Sequence, residues 1–265
     1  MVACRLTLLG GFTLATDDSR QLSLPTRKDR LLLAYLALSP GRSKARERLA
    51  GLLWSDRAEA QARDSLKQSL AGMRQVFRQA GPDPLRTDRD SVALEPDLIE
   101  TDVLEFAMLA TASTKLDRAA ALYRGELLEG IDGTSPEFEA WLHTERERLN
   151  DLAIHVLEQL ALCAAPKGVT DDAIRLGRYL LARDQLREPV YRALMRLFAL
   201  KGDRAEALKL YAALREALKQ DLQVEPDAKT EDLYRDILTD RLAPPSTVAE
   251  RTRERRRSLC CLSAI

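Results

Sequence analysis

Short hydrophobic runs separated by turn-forming residues make up the first 25 positions of the chain. Three such runs cover residues 5–9, 11–15 and 21–25, and the polar sequence DDS at residues 17–19 separates the last two. Runs of this length, bounded by turn residues, are typical of β-strands. The pattern therefore predicts three short strands at the start of the fold.

Helical periodicity replaces the strand pattern at Thr26, which we predict to cap the first helix. A second helix is predicted to begin at a Ser43 cap, and a third, long helix is predicted over residues 58–79. Short hydrophobic runs between residues 85 and 94 then predict a hairpin. Strands, three helices and a hairpin in this order are typical of a winged helix-turn-helix domain. The alternative is a small α+β domain that does not bind DNA.

Nearly all of the chain between residues 101 and 238 has helical periodicity. One pattern recurs within it, because Ala173 and Leu180 reappear 34 residues later as Ala207 and Leu214. A period of 34 residues is typical of tetratricopeptide-like helix hairpins, and an irregular helical bundle is the alternative. The predicted helices cover residues 103–111, 115–128, 138–162, 171–183, 188–200, 204–220 and 230–238.

The predicted fold class is mostly α, with two domains and a tail. Residues 1–96 form the winged helix-turn-helix domain (α+β), and residues 97–242 form the all-α, tetratricopeptide-like helical repeat domain. Residues 243–265 contain five arginines and a short apolar end, so we interpret them as a flexible basic tail or the truncated start of a further domain. We expect a fragment of residues 1–100 to fold alone and to retain weak DNA binding.

Charge is balanced over the 265 residues, with 41 Lys and Arg against 41 Asp and Glu, but it is distributed unevenly. Residues 1–95 have a net charge of +5, residues 96–242 of −8, and residues 243–265 of +3. A mildly basic first part and an acidic helical part predict two separate roles.

Several classes of protein are excluded by the sequence. Its apolar runs are far shorter than the roughly 18 residues of a membrane span. The four cysteines, two of them adjacent, indicate a reducing, cytoplasmic environment, and with the two histidines they match no zinc-site spacing. The sequence contains neither a phosphate-binding loop nor a Gly-x-Ser-x-Gly nucleophile motif. We therefore expect no catalytic residues, no metal and no cofactor, and we predict that the protein is not an enzyme.

A series of short motifs resembles the SARP-type bacterial transcriptional activators over about residues 4–240. The motifs include LLWSD at 52–56, ARDSLKQSL at 62–70, ALYRGELL at 121–128, REPVYRALM at 187–195 and VEPD at 224–227. The resemblance implies an OmpR-type winged helix followed by a bacterial transcriptional activator domain. It also implies a cytoplasmic regulator, nucleoid-associated when bound to DNA, that binds direct repeats in double-stranded promoter DNA and helps RNA polymerase to engage.

Two alternatives remain open beside this resemblance. The protein could be a helical, protein-binding adaptor whose N-terminal domain does not recognise DNA, and a DNA-bound form could be a monomer or a homodimer. Promoter, inducing signal and pathway are not specified by any motif in the sequence.

The third predicted helix carries the main candidates for DNA contact. At 100° per residue, one stripe that begins at Leu66 and Leu70 faces inward. Gln68 lies on the opposite face, where it would contact an adenine edge. On the shoulders lie Ser65 and Lys67, and Lys67 would reach guanine or phosphate. The outer face also includes Asp64, Ala71 and Gln75, and the inner stripe continues with Met73 and Phe77.

Further basic residues are predicted to contact the DNA backbone. Arg63 and Arg74 flank the third helix, where phosphates would lie. In the hairpin, Arg86 and Arg89 would reach a neighbouring groove. The start of the first helix offers backbone amides and charge to a phosphate, through Thr26, Arg27 and Lys28. The alternative is that these are ordinary solvated helix faces.

Overall fold

Two small β-sheets belong to the N-terminal part of the chain in the computed structural model, which describes residues 4–39, 41, 43–112, 115–133, 135–163 and 171–242. The first sheet has the strand order β3-β2-β1-β7, in which β1 is antiparallel to β2 and parallel to β7. The second has the order β4-β6-β5. The strands are β1 Cys4–Thr7, β2 Thr13–Thr16, β3 Gln21–Leu22, β4 Lys44–Ala45, β5 Leu85–Thr87, β6 Ser91–Leu94 and β7 Ile99–Thr101.

The three predicted N-terminal strands and the hairpin are confirmed, whereas β4 and β7 were not predicted. Both are very short and depend on partners distant in sequence: β7 pairs with β1, and β4 pairs with β6. Local periodicity carries no signal of such pairing. The predicted tail over residues 243–265 lies outside the described residues.

Three helices lie between the strands of the N-terminal part: α1 Arg27–Ala37, α2 Arg46–Leu53 and α3 Glu59–Ala80. Thr26 caps α1 as predicted, and it does so in a capping box with Asp29. The predicted cap at Ser43 is wrong, since Lys44 and Ala45 are extended and pair with β6. Therefore α2 begins later, at Arg46, without a side-chain cap.

Asp29 joins the start of α1 to α3. Its carboxylate accepts a hydrogen bond from the Thr26 backbone N–H at 2.9 Å and a second one from the Ser69 hydroxyl. The side chain is almost fully buried, and a buried carboxylate is tolerated only when such donors replace water. The same carboxylate therefore caps one helix and fixes its position against another.

The remainder of the described chain is helical apart from β7 and its connections. The predicted helix over residues 115–128 ends early, because Leu128 is in the left-handed region with φ 54° and the preceding residues bond to another part of the chain. In the described part of the chain, no helix has the length and apolar character of a membrane span. The helices are α4 Asp102–Thr111, α5 Leu116–Leu122, α6 Pro136–Cys163, α7 Asp171–Arg183, α8 Glu188–Lys201, α9 Arg204–Asp221 and α10 Ala228–Leu238.

A close backbone crossing joins the loop after β1 to the segment after α5. The Gly10 N–H donates to the Glu126 carbonyl at 3.0 Å, and the Leu128 N–H donates to the Leu8 carbonyl at 2.9 Å. A Cβ atom on Gly125 would lie 2.6 Å from the Gly10 Cα. Glycine at position 125 is therefore a steric requirement of the crossing.

The same loop is held on its other side by Asp102, the first residue of α4. The Asp102 carboxylate accepts hydrogen bonds from the N–H groups of Leu8 and Leu9 at 2.8 and 2.9 Å. Burial raises the pKa of Asp102 above its usual value. The hydrogen bonds from Leu8 and Leu9 favour the charged form and offset only part of this rise. The carboxylate thus satisfies two buried donors that no strand partner reaches.

Packing divides the described residues into two compact units. The first extends to Lys115 and includes Leu122–Leu152, and the second comprises Leu116–Ala121 and the described residues from Ala153 onwards. This division differs from the boundary predicted between residues 96 and 97. That the N-terminal domain folds by itself and ends at this boundary stays a prediction.

The reason for the difference is that the start of α6 packs on the N-terminal helices. The rings of Tyr35 and Trp141 lie 4.8 Å apart in an edge-to-face arrangement, and Phe138 is fully buried. The Ser135 hydroxyl donates to the Leu52 carbonyl at 2.7 Å, which satisfies an orphan acceptor at the end of α2. The first half of α6 is thus part of the same core as α1 and α2.

In the second unit, α7 and α9 both pack on α8. The 34-residue pattern corresponds to these two helices, since Ala173 and Ala207 are both buried, as are Leu180 and Leu214. Small residues permit the close approach, and a Cβ atom on Gly177 would meet the Leu194 side chain at 2.5 Å. The helix-hairpin pattern predicted from the sequence is therefore confirmed.

A polar network joins the starts of α8 and α10. Glu188 accepts hydrogen bonds from the Asp227 backbone N–H at 3.0 Å and from the Thr230 hydroxyl at 2.7 Å. Arg192 donates to the Asp227 carboxylate at 2.8 Å and to the Thr230 hydroxyl at 3.0 Å. Because Thr230 is fully buried, its hydroxyl needs both Glu188 and Arg192 as hydrogen-bond partners.

Replacing Gly125 should measure the importance of the backbone crossing. Gly125→Ala should destabilise the protein by about 1–3 kcal/mol, because the new methyl group collides with backbone that cannot move aside alone. Gly51→Ala is the control, since it lies within α2, meets no atom within 4 Å and should stabilise by up to about 1 kcal/mol. Urea unfolding of the full chain gives both values, and equal stabilities of the two variants would contradict the steric account.

The structure also changes the expectation for N-terminal fragments. A fragment of residues 1–100 lacks Asp102, Glu126 and Trp141, so it should be less stable than a fragment of residues 1–152. Thermal melting followed by circular dichroism compares the two. If both fragments melt at the same temperature, the packing of residues 122–152 does not increase the thermal stability of the N-terminal core.

Candidate nucleic-acid interface

The outer face of α3 has the phase predicted from the sequence. Leu66, Leu70, Met73 and Phe77 are buried, whereas Asp64, Lys67, Gln68, Ala71 and Gln75 are exposed. The inner stripe packs α3 against α1 and α2, so the outer face projects away from the core. As the second helix of the α2–α3 pair, α3 occupies the position of the recognition helix in a helix-turn-helix.

Lys67 and Gln68 offer unengaged hydrogen-bond donors on this face. Within the described residues, neither side chain forms an ion pair or a hydrogen bond. The Gln68 amide presents both a donor and an acceptor, and the Lys67 ammonium presents three donors. These groups match the exposed edges of adenine and guanine in a major groove.

Arg63 lies on the flank of α3 and is about half exposed. Its guanidinium pairs with Glu59 and, at 3.6 Å, with Glu47. Exposed pairs of this kind contribute little to stability, on the order of 0–1 kcal/mol. A phosphate could therefore replace these carboxylates at low cost.

The predicted exposure of Ser65 on the outer shoulder is wrong. Its hydroxyl donates to the Gln61 carbonyl at 2.7 Å and accepts from the Arg57 guanidinium at 2.7 Å. Arg57 comes from the turn between α2 and α3 and covers this shoulder, so Ser65 is buried. The periodicity of α3 alone could not reveal a neighbour from outside the helix.

Arg74 also has a different environment from the one predicted. Its guanidinium donates to the Thr87 hydroxyl and lies 3.4 Å from the Asp83 carboxylate, so it connects α3 to the hairpin of β5 and β6. Its Nε atom is buried and has no hydrogen-bond partner among the described residues. Arg74 therefore holds the hairpin in place instead of standing free on the flank.

The hairpin brings two predicted residues toward solvent. Arg86 is exposed and pairs weakly with Glu95 at 3.5 Å, and Arg89 is exposed at the turn. A cleft of about 400 Å³ between the hairpin turn and the start of α3 is lined by three basic residues, Arg89, Arg63 and Arg46, and by two acidic ones, Glu47 and Asp90. Arg46 was missed by the sequence analysis, because only the pairing of β4 with β6 places it beside the hairpin.

The start of α1 is already engaged within the protein. The Thr26 hydroxyl accepts from the Asp29 N–H, while Arg27 donates to the Gly133 carbonyl at 3.2 Å. Lys28 pairs with Asp56 at 3.2 Å and lies over the Trp54 ring, and its hydrogen bond lowers the pKa of Asp56. The predicted phosphate position is therefore occupied by the Asp29 carboxylate, which neutralises the positive end of α1.

Comparison with known proteins decides the family. Residues 102–238 match the family described as "Bacterial transcriptional activator domain". The chain belongs to this family. The resemblance to SARP-type bacterial transcriptional activators is confirmed.

The chain is similar to two proteins that are named as regulatory proteins. The chain is 28% identical over 251 residues to the regulatory protein AfsR of Streptomyces coelicolor, an alignment that covers 89% of this chain and 24% of AfsR. It is 28% identical over 242 residues to the regulatory protein DnrI of Streptomyces peucetius, covering 80% of this chain and 84% of DnrI. The chain thus spans about a quarter of AfsR but most of DnrI.

A solved structure has the same fold as this family member. EmbR of Mycobacterium tuberculosis, solved in complex with a low-affinity phosphopeptide, superposes with a TM-score of 0.69 over 98% of this chain and 71% of that chain. The sequences are only 20% identical, so this likeness concerns the fold alone. It agrees with a winged helix followed by a helical activator domain.

Arg74 and Arg63 provide a matched pair for testing the geometry of α3. Arg74→Ala should destabilise the protein by on the order of 1–2 kcal/mol, because it removes the contacts to Thr87 and Asp83. Arg63→Ala should change the free energy of unfolding by about 0–1 kcal/mol, since only surface pairs are lost. Urea unfolding of both variants measures the difference, and equal losses would contradict a structural role for Arg74.

Proposed function

We propose that this protein is a transcriptional activator that binds promoter repeats in double-stranded DNA in a sequence-specific manner, with α3 lying in the major groove. The observation that carries the proposal is the outer face of α3, where Lys67 and Gln68 are exposed and unengaged. In a helix-turn-helix, the second helix contacts base edges through its first half. Both residues lie in the first half of α3.

Each side chain has a role that follows from its chemistry and position. Gln68 pairs with an adenine edge, and Lys67 donates to guanine or to a phosphate. Arg63 contacts a phosphate on the flank of the groove after exchanging its surface partners. The cleft beside the hairpin has more basic than acidic lining residues, and this small excess of positive charge favours the adjacent DNA backbone.

The helical part is proposed to engage RNA polymerase or another protein partner. Its net charge is negative, which disfavours contact with DNA, and stacked helix hairpins commonly present protein-binding surfaces. Residues 1–96 would supply DNA binding, and residues 97–242 would supply this second contact, in the cytoplasm and at the nucleoid. A homodimer on paired repeats is one possible arrangement. Footprinting, combined with a measurement of the number of protein molecules bound per DNA, would establish it.

Gln68→Ala tests whether α3 recognises sequence. A duplex pool with a randomised segment is selected with the full chain, and affinities for the selected and random duplexes are measured by fluorescence anisotropy. Gln68→Ala should lose about 1–3 kcal/mol of binding to the selected duplex and little to random duplex, because a base contact discriminates sequences.

Three further variants separate the contributions to binding. Arg63→Ala should weaken both duplexes alike and reduce the salt slope by about one unit, since a phosphate contact releases counterions at any sequence. Leu70→Ala should lose binding only through loss of the fold, which thermal melting detects. If Lys67→Ala and Gln68→Ala bind both duplexes like the parent, α3 does not recognise DNA, and the adaptor hypothesis takes its place.

A further inference from the structure

A carboxylate lies at the centre of the face that is proposed to meet DNA. Asp64 is exposed in the middle of the outer stripe of α3, one helical turn before Gln68. Among the described residues it forms no ion pair and no side-chain hydrogen bond, even though Lys67 is three positions further along. Its acceptor oxygens are therefore fully available to a ligand.

Neither helix stability nor ion pairing explains this position. Acidic residues favour the N-terminus of a helix only within its first turn, and in α3 that place is taken by Glu59. A carboxylate facing DNA also repels phosphates and so lowers affinity for duplexes of any sequence. Asp64 is useful on this face only if a hydrogen-bond donor of the DNA meets it.

The position of Asp64 on the helix selects the part of the DNA that it would meet. Phosphates lie along the flanks of a helix in the major groove, whereas base edges lie under its central line. The donors exposed there are the N4 amino group of cytosine and the N6 amino group of adenine. Adenine also presents its N7 acceptor beside N6, which repels the second carboxylate oxygen, so cytosine is the better partner.

We propose that Asp64 determines sequence specificity by accepting a hydrogen bond from the N4 amino group of a cytosine. The proposal rests on the proposed function, because it requires α3 to lie in the major groove. Four residues of helix rise by about 6 Å, and base pairs are about 3.4 Å apart. The cytosine therefore lies within about two base pairs of the position recognised by Gln68.

Selection of sequences by the parent and by Asp64→Asn tests the proposal. The parent should enrich cytosine at one position, and Asp64→Asn should reduce that preference roughly 5-fold or more while keeping the preference that depends on Gln68. It should also bind random duplex more tightly, because one repulsive charge is gone. Asp17→Asn is the control, since it removes the same charge from the exposed turn between β2 and β3 and should keep the base ranking of the parent.

The outcomes separate this proposal from the function on which it rests. If Asp64→Asn binds all duplexes more tightly by the same factor and ranks the bases like the parent, the carboxylate only repels DNA and the proposal is overturned. If the parent itself selects no sequence, the proposed function fails and the role of Asp64 fails with it. Thermal melting of all three proteins establishes that any change in ranking comes from a folded chain.

Discussion

Buried backbone amides that have no strand partner constrain the whole N-terminal unit. After β1 the chain leaves the sheet while Leu8 and Leu9 stay in the core, so their N–H groups need acceptors from elsewhere. Asp102 supplies these acceptors, and the segment around Glu126 supplies the next one to Gly10. Residues that the sequence pattern assigns to the helical domain are thereby required by the first sheet. Asp102 and Glu126 accordingly belong to the N-terminal unit, although both lie beyond the boundary predicted at residue 96.

The part of the fold that depends on local sequence was predicted from the sequence. The cap at Thr26 and the inner stripe of α3 follow from neighbours within four residues, and both are confirmed. By contrast, the extended residues at 44–45 and the early end of the helix before Leu128 depend on partners tens of residues away. No window of local periodicity contains that information.

The same distinction applies to the candidate site. Helical phase correctly placed Lys67 and Gln68 on the outer face, because exposure there depends only on the opposite stripe. Ser65 and Arg74 were misplaced because Arg57 and Thr87 reach α3 from other elements. At the start of α1, Asp29 was not among the candidate residues, but it occupies the position proposed for phosphate.

The polar network between α8 and α10 has a consequence for how sequences of this kind can diverge. Arg192 and Asp227 are separated by 35 residues, yet a change at either one removes a hydrogen bond from the other. The same guanidinium nitrogen also donates to the buried Thr230 hydroxyl, so losing Arg192 removes a hydrogen-bond partner from that hydroxyl as well. Substitutions at these positions should therefore occur in pairs. The motifs at residues 187–195 and 224–227 should then change together during evolution, although they are far apart in the sequence.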